Sequence, residues 1–145
     1  MRLVLQRVAS ARVEVGGEVV GAIDRGILAL VGVEKGDDDA SVARAVEKLA
    51  ELRIFEDAAG KMNLAAHETG AALLVVSQFT LAASLARGRR PSFDGAAAPA
   101  QAEPLIESLV AGLRQRGLEV ATGRFGARME VTLVNDGPVT FVLDV

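Results

Sequence analysis

The C-terminal stretch "RMEVTLVNDGPVTFVLDV", residues 128–145, decides how the rest of the chain is read. On either side of residues 135–140 it alternates apolar and polar residues at the strand period. Asn135-Asp136-Gly137 between two apolar runs is a strong turn signal, and a following Pro138 belongs to turns and strand starts. The stretch therefore predicts a long C-terminal hairpin. The same residues admit a second interpretation. X-Pro is the only peptide bond with ready access to the cis form, at about 0.5–1 kcal/mol. A cis Gly137-Pro138 would hold two carbonyls rigidly, with no Cβ on the glycine to shield them.

Working back from there, "RLVLQRVASARVEVGGEVVGAI" predicts a β-hairpin: Leu3, Leu5, Val13 and Val15 keep period-two spacing and Gly16-Gly17 supplies the turn. "GILALVGVEKGD" is a short continuous apolar run bounded by Gly and charges, the pattern of a buried strand. From about Asp39 the period changes. Val42, Val46, Leu49 and Leu52 share one face of a helix that ends near Arg53, and its acidic first turn suits the helix dipole. "LRIFEDAAGKMNL" predicts a short strand, a Gly60 turn and a return. "AALLVVSQFTL" is the most apolar strand and runs directly into Ser77 and Gln78. A second helix follows Pro99, with Leu105, Ile106, Leu109, Val110 and Leu113 at helical spacing and Gly117 as its stop. Pro104 suits that helix only in its first turn. The sum is an α+β chain of mostly antiparallel strands with two main helices, in one domain spanning residues 1–145.

Half of the residues are apolar, which excludes disorder as the ground state. With no Cys there is no thiol catalysis, thiolate metal site or disulfide framework, and a reducing cytosol is the natural compartment. Arg2, Arg7 and Arg12 interrupt any signal-peptide apolar core, and no apolar run reaches membrane-span length, so a soluble, cytoplasmic protein is expected. A net charge of −3 argues against non-specific coating of nucleic acid. A local basic patch remains open: no acidic residue lies between Gly70 and Phe93, while "RGRRPSF" supplies Arg87, Arg89 and Arg90. These three are either a solvated loop or a phosphate contact.

The chemistry available is narrow. The single His67 lies in the polar stretch "AAHETG", where a surface or capping role is the ordinary one. No carboxylate spacing suggests a metal site, and no phosphate-binding glycine loop is present. Ser77, Gln78 and Thr80 stand at the polar end of a buried strand, where a rigid element can aim side chains and N–H groups at a pocket. No His partner activates a serine or threonine there, which excludes an ordinary Ser-His-Asp hydrolase. Any reaction must be chemically easy. An activated ester qualifies, because positioning and N–H stabilisation of an oxyanion can suffice.

Five segments carry a resemblance: "MRLVLQRV" at the start, "SQFTL" at 77–81, "RGRRPSF" at 87–93, "TGRFGARMEVTLVNDGPVTF" at 122–141 and, within it, "NDGPVT". Together they resemble the D-aminoacyl-tRNA deacylases, formerly D-tyrosyl-tRNA deacylases, from the first residue to the last. The resemblance implies a barrel-like sheet core of that family's fold, no cofactor and no metal. It implies a homodimer whose active sites lie at the subunit interface. Ser77, Gln78, Phe79 and Thr80 would line one wall, and Gly137, Pro138, Val139 and Thr140 would enter from the other protomer. The substrate implied is a D-amino acid esterified to the terminal adenosine of tRNA, with glycine, the achiral case, also admitted.

On this resemblance the rigid Gly137-Pro138 backbone occupies the space an L side chain would need, so selection works by exclusion. Gln78 and the N–H groups around Phe79 and Thr80 would stabilise the oxyanion, with the ribose 2′-OH or a water completing attack. Thr80 is a candidate nucleophile by motif alone. Phe79 would stack near the terminal adenine. Phe125 and Met129 shape the pocket or belong to the core, and Arg7 braces the Gly-Pro segment or is a strand-edge charge. Two alternatives stay open: an editing protein that clears L or achiral amino acids, and a non-catalytic tRNA-binding protein.

Overall fold

The longest ladder in the molecule is built on its first strand, β1 (Arg2–Val15), which is paired along both edges. The computed structural model describes residues 1–145. On one edge of β1, Arg2 to Val8 pair antiparallel with β3 (Gly26–Gly32), and Ala11 to Val15 pair with β2 (Glu18–Ile23) across the Gly16-Gly17 turn. On the other edge, β8 (Glu130–Asp144) runs antiparallel from Glu14↔Glu130 to Arg2↔Asp144.

This last pairing corrects the expected C-terminal hairpin. Residues 130–144 are one strand, and the chain does not reverse at "NDGPVT". Gln6 faces Thr140 and Val8 faces Asn135, so a single residue of β1, Arg7, opposes residues 136–139. The turn residues form an excursion from a strand that resumes in the same direction. The turn signal is local, whereas both flanking runs find hydrogen-bond partners on β1, and the longer ladder wins.

The sheet continues β2-β1-β3-β6-β7, with β6 (Ala72–Ser77) and β7 (Val120–Thr122). β3–β6 and β6–β7 are parallel, so the sheet is mixed, with its antiparallel pairings around β1. The continuous apolar runs of β3 and β6 are explained by burial on both faces. Ile27, Ala29, Val31, Leu73 and Val75 pack under α1 (Asp39–Glu51) and α3 (Pro99–Gln115). Leu28, Leu74 and Val76 face the other way, into a smaller cluster with Val8, Ala11 and Val13 of β1. That second cluster fills the inside of a nearly closed barrel. Its seam lies between β2 and β7, where a Cβ on Gly21 would collide with the Thr122 carbonyl oxygen.

Asp38 caps α1 by accepting from Ser41 N at 3.0 Å and from the Ser41 hydroxyl at 3.2 Å, and these bonds hold its carboxyl below the usual range. β4 (Phe55–Glu56) and β5 (Met62–Leu64) form a separate two-stranded hairpin. A third, short helix, α2 (Ala66–Thr69), was not expected; it carries His67, which is exposed. Pro104 lies beyond the first turn of α3, contrary to expectation. It cannot donate to Ala100, and because both residues are exposed the unmatched carbonyl can be solvated. No helix is long and apolar enough to cross a membrane.

Closure at Gly21 is open to test. Gly21→Ala places a methyl group against backbone rather than a flexible side chain, and a loss of about 1–3 kcal/mol is expected. Urea unfolding should show a lower midpoint with an unchanged m-value; an unchanged midpoint would mean that β2 and β7 do not meet there.

Candidate active site

β6 ends as its side chains emerge from the core: Ala72 to Val76 are buried, and Ser77 and Gln78 are half-buried. Gln78 N donates to Val31 O at 2.8 Å, extending the parallel pairing one residue beyond the strand. The chain then tightens into a 3₁₀ turn, Phe79–Ala82, closed by Leu81 N to Gln78 O and Ala83 N to Thr80 O, both 3.1 Å. As the first residues of that turn, Phe79 and Thr80 have N–H groups with no acceptor in the chain. The Gln78 amide donates to the Thr80 hydroxyl. Phe79 is 56 % exposed, high for a ring that size.

Ser77, Gln78 and Phe79 form one wall of a cavity of about 490 Å³. Val33, just past β3, lies in its lining with Ala97, Pro99 and Ala102 at the start of α3. Phe125, Gly126, Ala127 and Met129 supply the remaining side from the loop between β7 and β8. The lining contains no Asp, Glu, His, Lys or Arg. Its polar groups are a hydroxyl, an amide and backbone. The structure thus places Phe125 and Met129 beside the Ser-Gln-Phe segment, and leaves Thr80 exposed outside the lining. His67 is not in it either.

The Gly-Pro excursion is built separately. Arg7, only 6 % exposed, donates from Nε to Asp136 O at 3.0 Å and pairs with Asp136 Oδ2 at 3.1 Å. Its Nη1 donates to Ile54 O at 2.6 Å, tying the excursion to the segment before β4. Asn135 Nδ2 donates to Arg7 O at 2.9 Å and to Val139 O at 3.0 Å, so one amide gathers both ends of the excursion. Val139 is buried in the main core, whereas Gly137, Pro138 and Thr140 are exposed. The Thr140 hydroxyl accepts from Gln6 Nε2 at 3.2 Å. The Gly137-Pro138 bond is cis. A Cβ on Gly137 would meet Asn135 Oδ1 and Val139 N, so the glycine is required by space; its φ is not positive.

Within one chain the two motifs stay apart. Gln78 hydrogen-bonds at Val31, which faces Leu3, while the excursion opposes Arg7 on the far edge of β1. Four residues along β1 and three strand spacings across the sheet amount to roughly 13 Å and 14 Å. Gly137, Pro138, Val139 and Thr140 do not line the cavity.

Several participants escaped the sequence analysis. Asn135 reads as a turn residue, and nothing local marks its amide as the clasp across Arg7. Val33, Ala97 and Ala102 are small apolar residues whose types carry no signal; only the position of α3 over the end of β3 brings them to the cavity.

The molecule is thus a mixed barrel with an uncharged cavity at the carboxyl end of its parallel strands, walled on one side by Ser77, Gln78 and Phe79. The comparisons with known proteins specify the class. The family model described as D-Tyr-tRNA(Tyr) deacylase matches residues 4–144, and the chain belongs to that family of hydrolases. It is 60% identical to the D-aminoacyl-tRNA deacylase of Ectopseudomonas mendocina over 100% of both chains. It is 58% identical to that of Geobacter sulfurreducens over 99% of this chain and 95% of the relative. The solved structure of a c-Myc DNA Unwinding Element Binding Protein superposes with a TM-score of 0.94 at 40% identity, covering 100% of this chain and 99% of the other. A probable eukaryotic D-amino acid tRNA deacylase, at 19% identity and a TM-score of 0.84, shares the fold over 99% of this chain and 98% of its own.

The Arg7 clasp yields a direct expectation. Arg7→Met keeps the aliphatic stem but strips charged hydrogen bonds from the Ile54 and Asp136 carbonyls, for a loss of about 1.5–3 kcal/mol. Urea unfolding measures it, and limited proteolysis should show faster cleavage within residues 135–140. A variant as stable and as resistant as the parent would remove Arg7 from its bracing role.

Proposed function

We propose that this chain hydrolyses the ester of D-aminoacyl-tRNA, releasing the free D-amino acid and tRNA, as a single catalytic domain spanning residues 1–145. The carrying observation is the site's chemistry: a cavity without titratable side chains, walled by Gln78 and followed by two N–H groups that have no acceptor. Such a site can stabilise a developing oxyanion and position a substrate, and an aminoacyl ester needs little more. The names of the relatives at 60% and 58% identity support the same activity.

In the proposed reaction a water oxygen adds to the ester carbonyl carbon while Gln78 Nε2 and the N–H groups of Phe79 and Thr80 bind the oxyanion. The C–O bond to the ribose then breaks, and the proton from water passes to the departing ribose oxygen by way of the adjacent 2′-OH. Ser77 positions the substrate. Phe79 stacks near the terminal adenine, and Phe125 and Met129 close the opposite side. Thr80 orients the Gln78 amide through their hydrogen bond rather than attacking.

The enantiomer filter is the Gly137-Pro138 segment of a second protomer, with Val139 and Thr140 flanking it. The 13 Å by 14 Å offset within one chain, roughly four residues by three strand spacings, favours this arrangement, because a protomer cannot complete its own site. So does the surface: β8 leaves one edge unpaired, and Val134, Phe141 and Val142 are exposed along it, as is Phe79 near the cavity. Backbone presented to the substrate's α-carbon excludes an L side chain and lets a D side chain point away, so its identity matters little. Glycine carries no side chain to exclude, and glycyl-tRNA is also expected to be cleaved. The role is proofreading of translation in the cytoplasm, where the substrate is made.

Three measurements test this. With D- and L-forms of the same aminoacyl-tRNA, ester loss should be confined to the D form; equal rates on both would defeat the exclusion mechanism. Thr80→Ala is expected to retain kcat within about tenfold, consistent with loss of an orienting hydrogen bond. Complete loss with intact folding and tRNA binding would instead make Thr80 the nucleophile. Sedimentation at the assay concentration should report a dimer, and an active monomer would contradict the shared site.

A further inference from the structure

The cavity holds about 490 Å³, room for the aminoacyl end of a substrate and no more. The polyanion that follows must leave past the neighbouring chain, where two loops stand: one follows the Phe79 wall in sequence, and the other contributes to the lining. The first, residues 84–92, leaves the 3₁₀ turn and is closed at its base by Ser84 N to Ser92 O at 2.8 Å and Ser92 N to Ser84 O at 3.0 Å. Gly88, with φ +72°, turns its tip. The base is fastened to the cavity wall by the Phe79 and Phe93 rings, whose centroids are 5.2 Å apart. The second loop, residues 123–129, brings Phe125 and Met129 into the lining.

Both loops carry arginines. Arg87, Arg89 and Arg90 on the first are exposed, Arg124 and Arg128 stand on the second, and none makes an ion pair within the chain. No acidic residue interrupts either segment: there is none from Gly70 to Phe93 or from Val120 to Met129. Elsewhere Arg2, Arg7, Arg12 and Arg116 have carboxylate partners, Arg25 lies over the Phe55 ring, and Arg44, Arg53 and Arg114 make no ion pair but do not cluster on one loop. In a chain of net charge −3, five guanidinium groups without ion pairs on two loops are a local excess of positive charge, densest at Arg87, Arg89 and Arg90, whereas Arg124 shares the adjoining pocket with Glu103 and Glu107 of α3. Guanidinium forks match phosphate oxygens, and a pair of basic loops beside an uncharged slot suits a strand whose last nucleoside enters while its phosphates remain outside.

We propose that Arg87, Arg89 and Arg90 on one side and Arg124 and Arg128 on the other form a phosphate clamp for the 3′-terminal strand of tRNA. The clamp rests on the tRNA reading of the cavity, and it divides the labour: uncharged groups handle the ester, while the arginines supply affinity and register outside it. Binding to the phosphate backbone carries no base information, so the clamp should accept tRNAs of different sequence alike.

The test reads binding rather than catalysis. Deacylated tRNA is titrated by fluorescence anisotropy against the full chain over about 50–200 mM salt, and log K is plotted against log salt. For R87Q/R89Q/R90Q the slope should become shallower by roughly 0.7–0.9 for each phosphate that is no longer neutralised, with affinity at low salt reduced at least tenfold. R124Q/R128Q should show the smaller change expected for two groups. R87K/R89K/R90K, which keeps the charge, should retain most of the slope. K48Q/R116Q, at the far ends of α1 and α3 from the cavity, should keep the parental slope. A triple Gln variant with the parental slope, or a K48Q/R116Q slope reduced in proportion, would overturn the clamp. Because the ligand carries no ester, absence of D-specific hydrolysis would count against the proposed reaction alone.

Discussion

The structure depends on the two-edged pairing of β1. A strand of 14 residues that accepts β3 and β2 on one side and β8 on the other leaves little freedom in register. That pairing turns the Gly-Pro residues from a hairpin into an outward excursion. Both halves of β8 are committed to β1, so the surplus residues leave the ladder: Gly137 and Pro138 are exposed, while Val139 turns into the main core. Arg7 opposes the gap and is therefore the one β1 side chain able to reach both Asp136 and Ile54. Strand pairing, excursion and guanidinium clasp are three aspects of one constraint.

The cavity arises from a second consequence of the same sheet. Parallel strands β3 and β6 are buried on both faces, so they can present polar groups only where they end. The carboxyl end of β6 is where Ser77 and Gln78 emerge, and the following 3₁₀ turn frees two N–H groups there. The first turn of α3 and the loop before β8 supply walls that contribute shape without charge. Amide groups held by backbone geometry need no reorganisation to meet a developing negative charge.

Much of this was legible in the chain. The first hairpin, the helix from Asp39, the helix after Pro99 and the continuous apolar runs at 26–32 and 72–77 all form as their patterns predict, because each is encoded by a local period. Pro104 departs from expectation because an exposed carbonyl can be left to solvent. The C-terminal hairpin failed for a different reason: a turn signal says that the backbone can bend, and says nothing of whether its flanking strands pair with each other or with a third.

The sequence by itself determined the element types, the two face-specific apolar patterns, and the membership implied by "SQFTL" and "NDGPVT", since these depend on residue identity over short spans. It also determined what chemistry was absent, because a chain without cysteine and with one histidine excludes whole mechanisms. Only the tertiary structure decided that the two motifs lie on opposite edges of β1 in one chain, that Asn135 and Arg7 hold the excursion, and that Phe125 and Met129 join Ser77 and Gln78 around one cavity. These relations join residues far apart in the chain, as Arg7 and Asp136 are. Their proximity is fixed by strand register and loop closure, and local composition does not encode either.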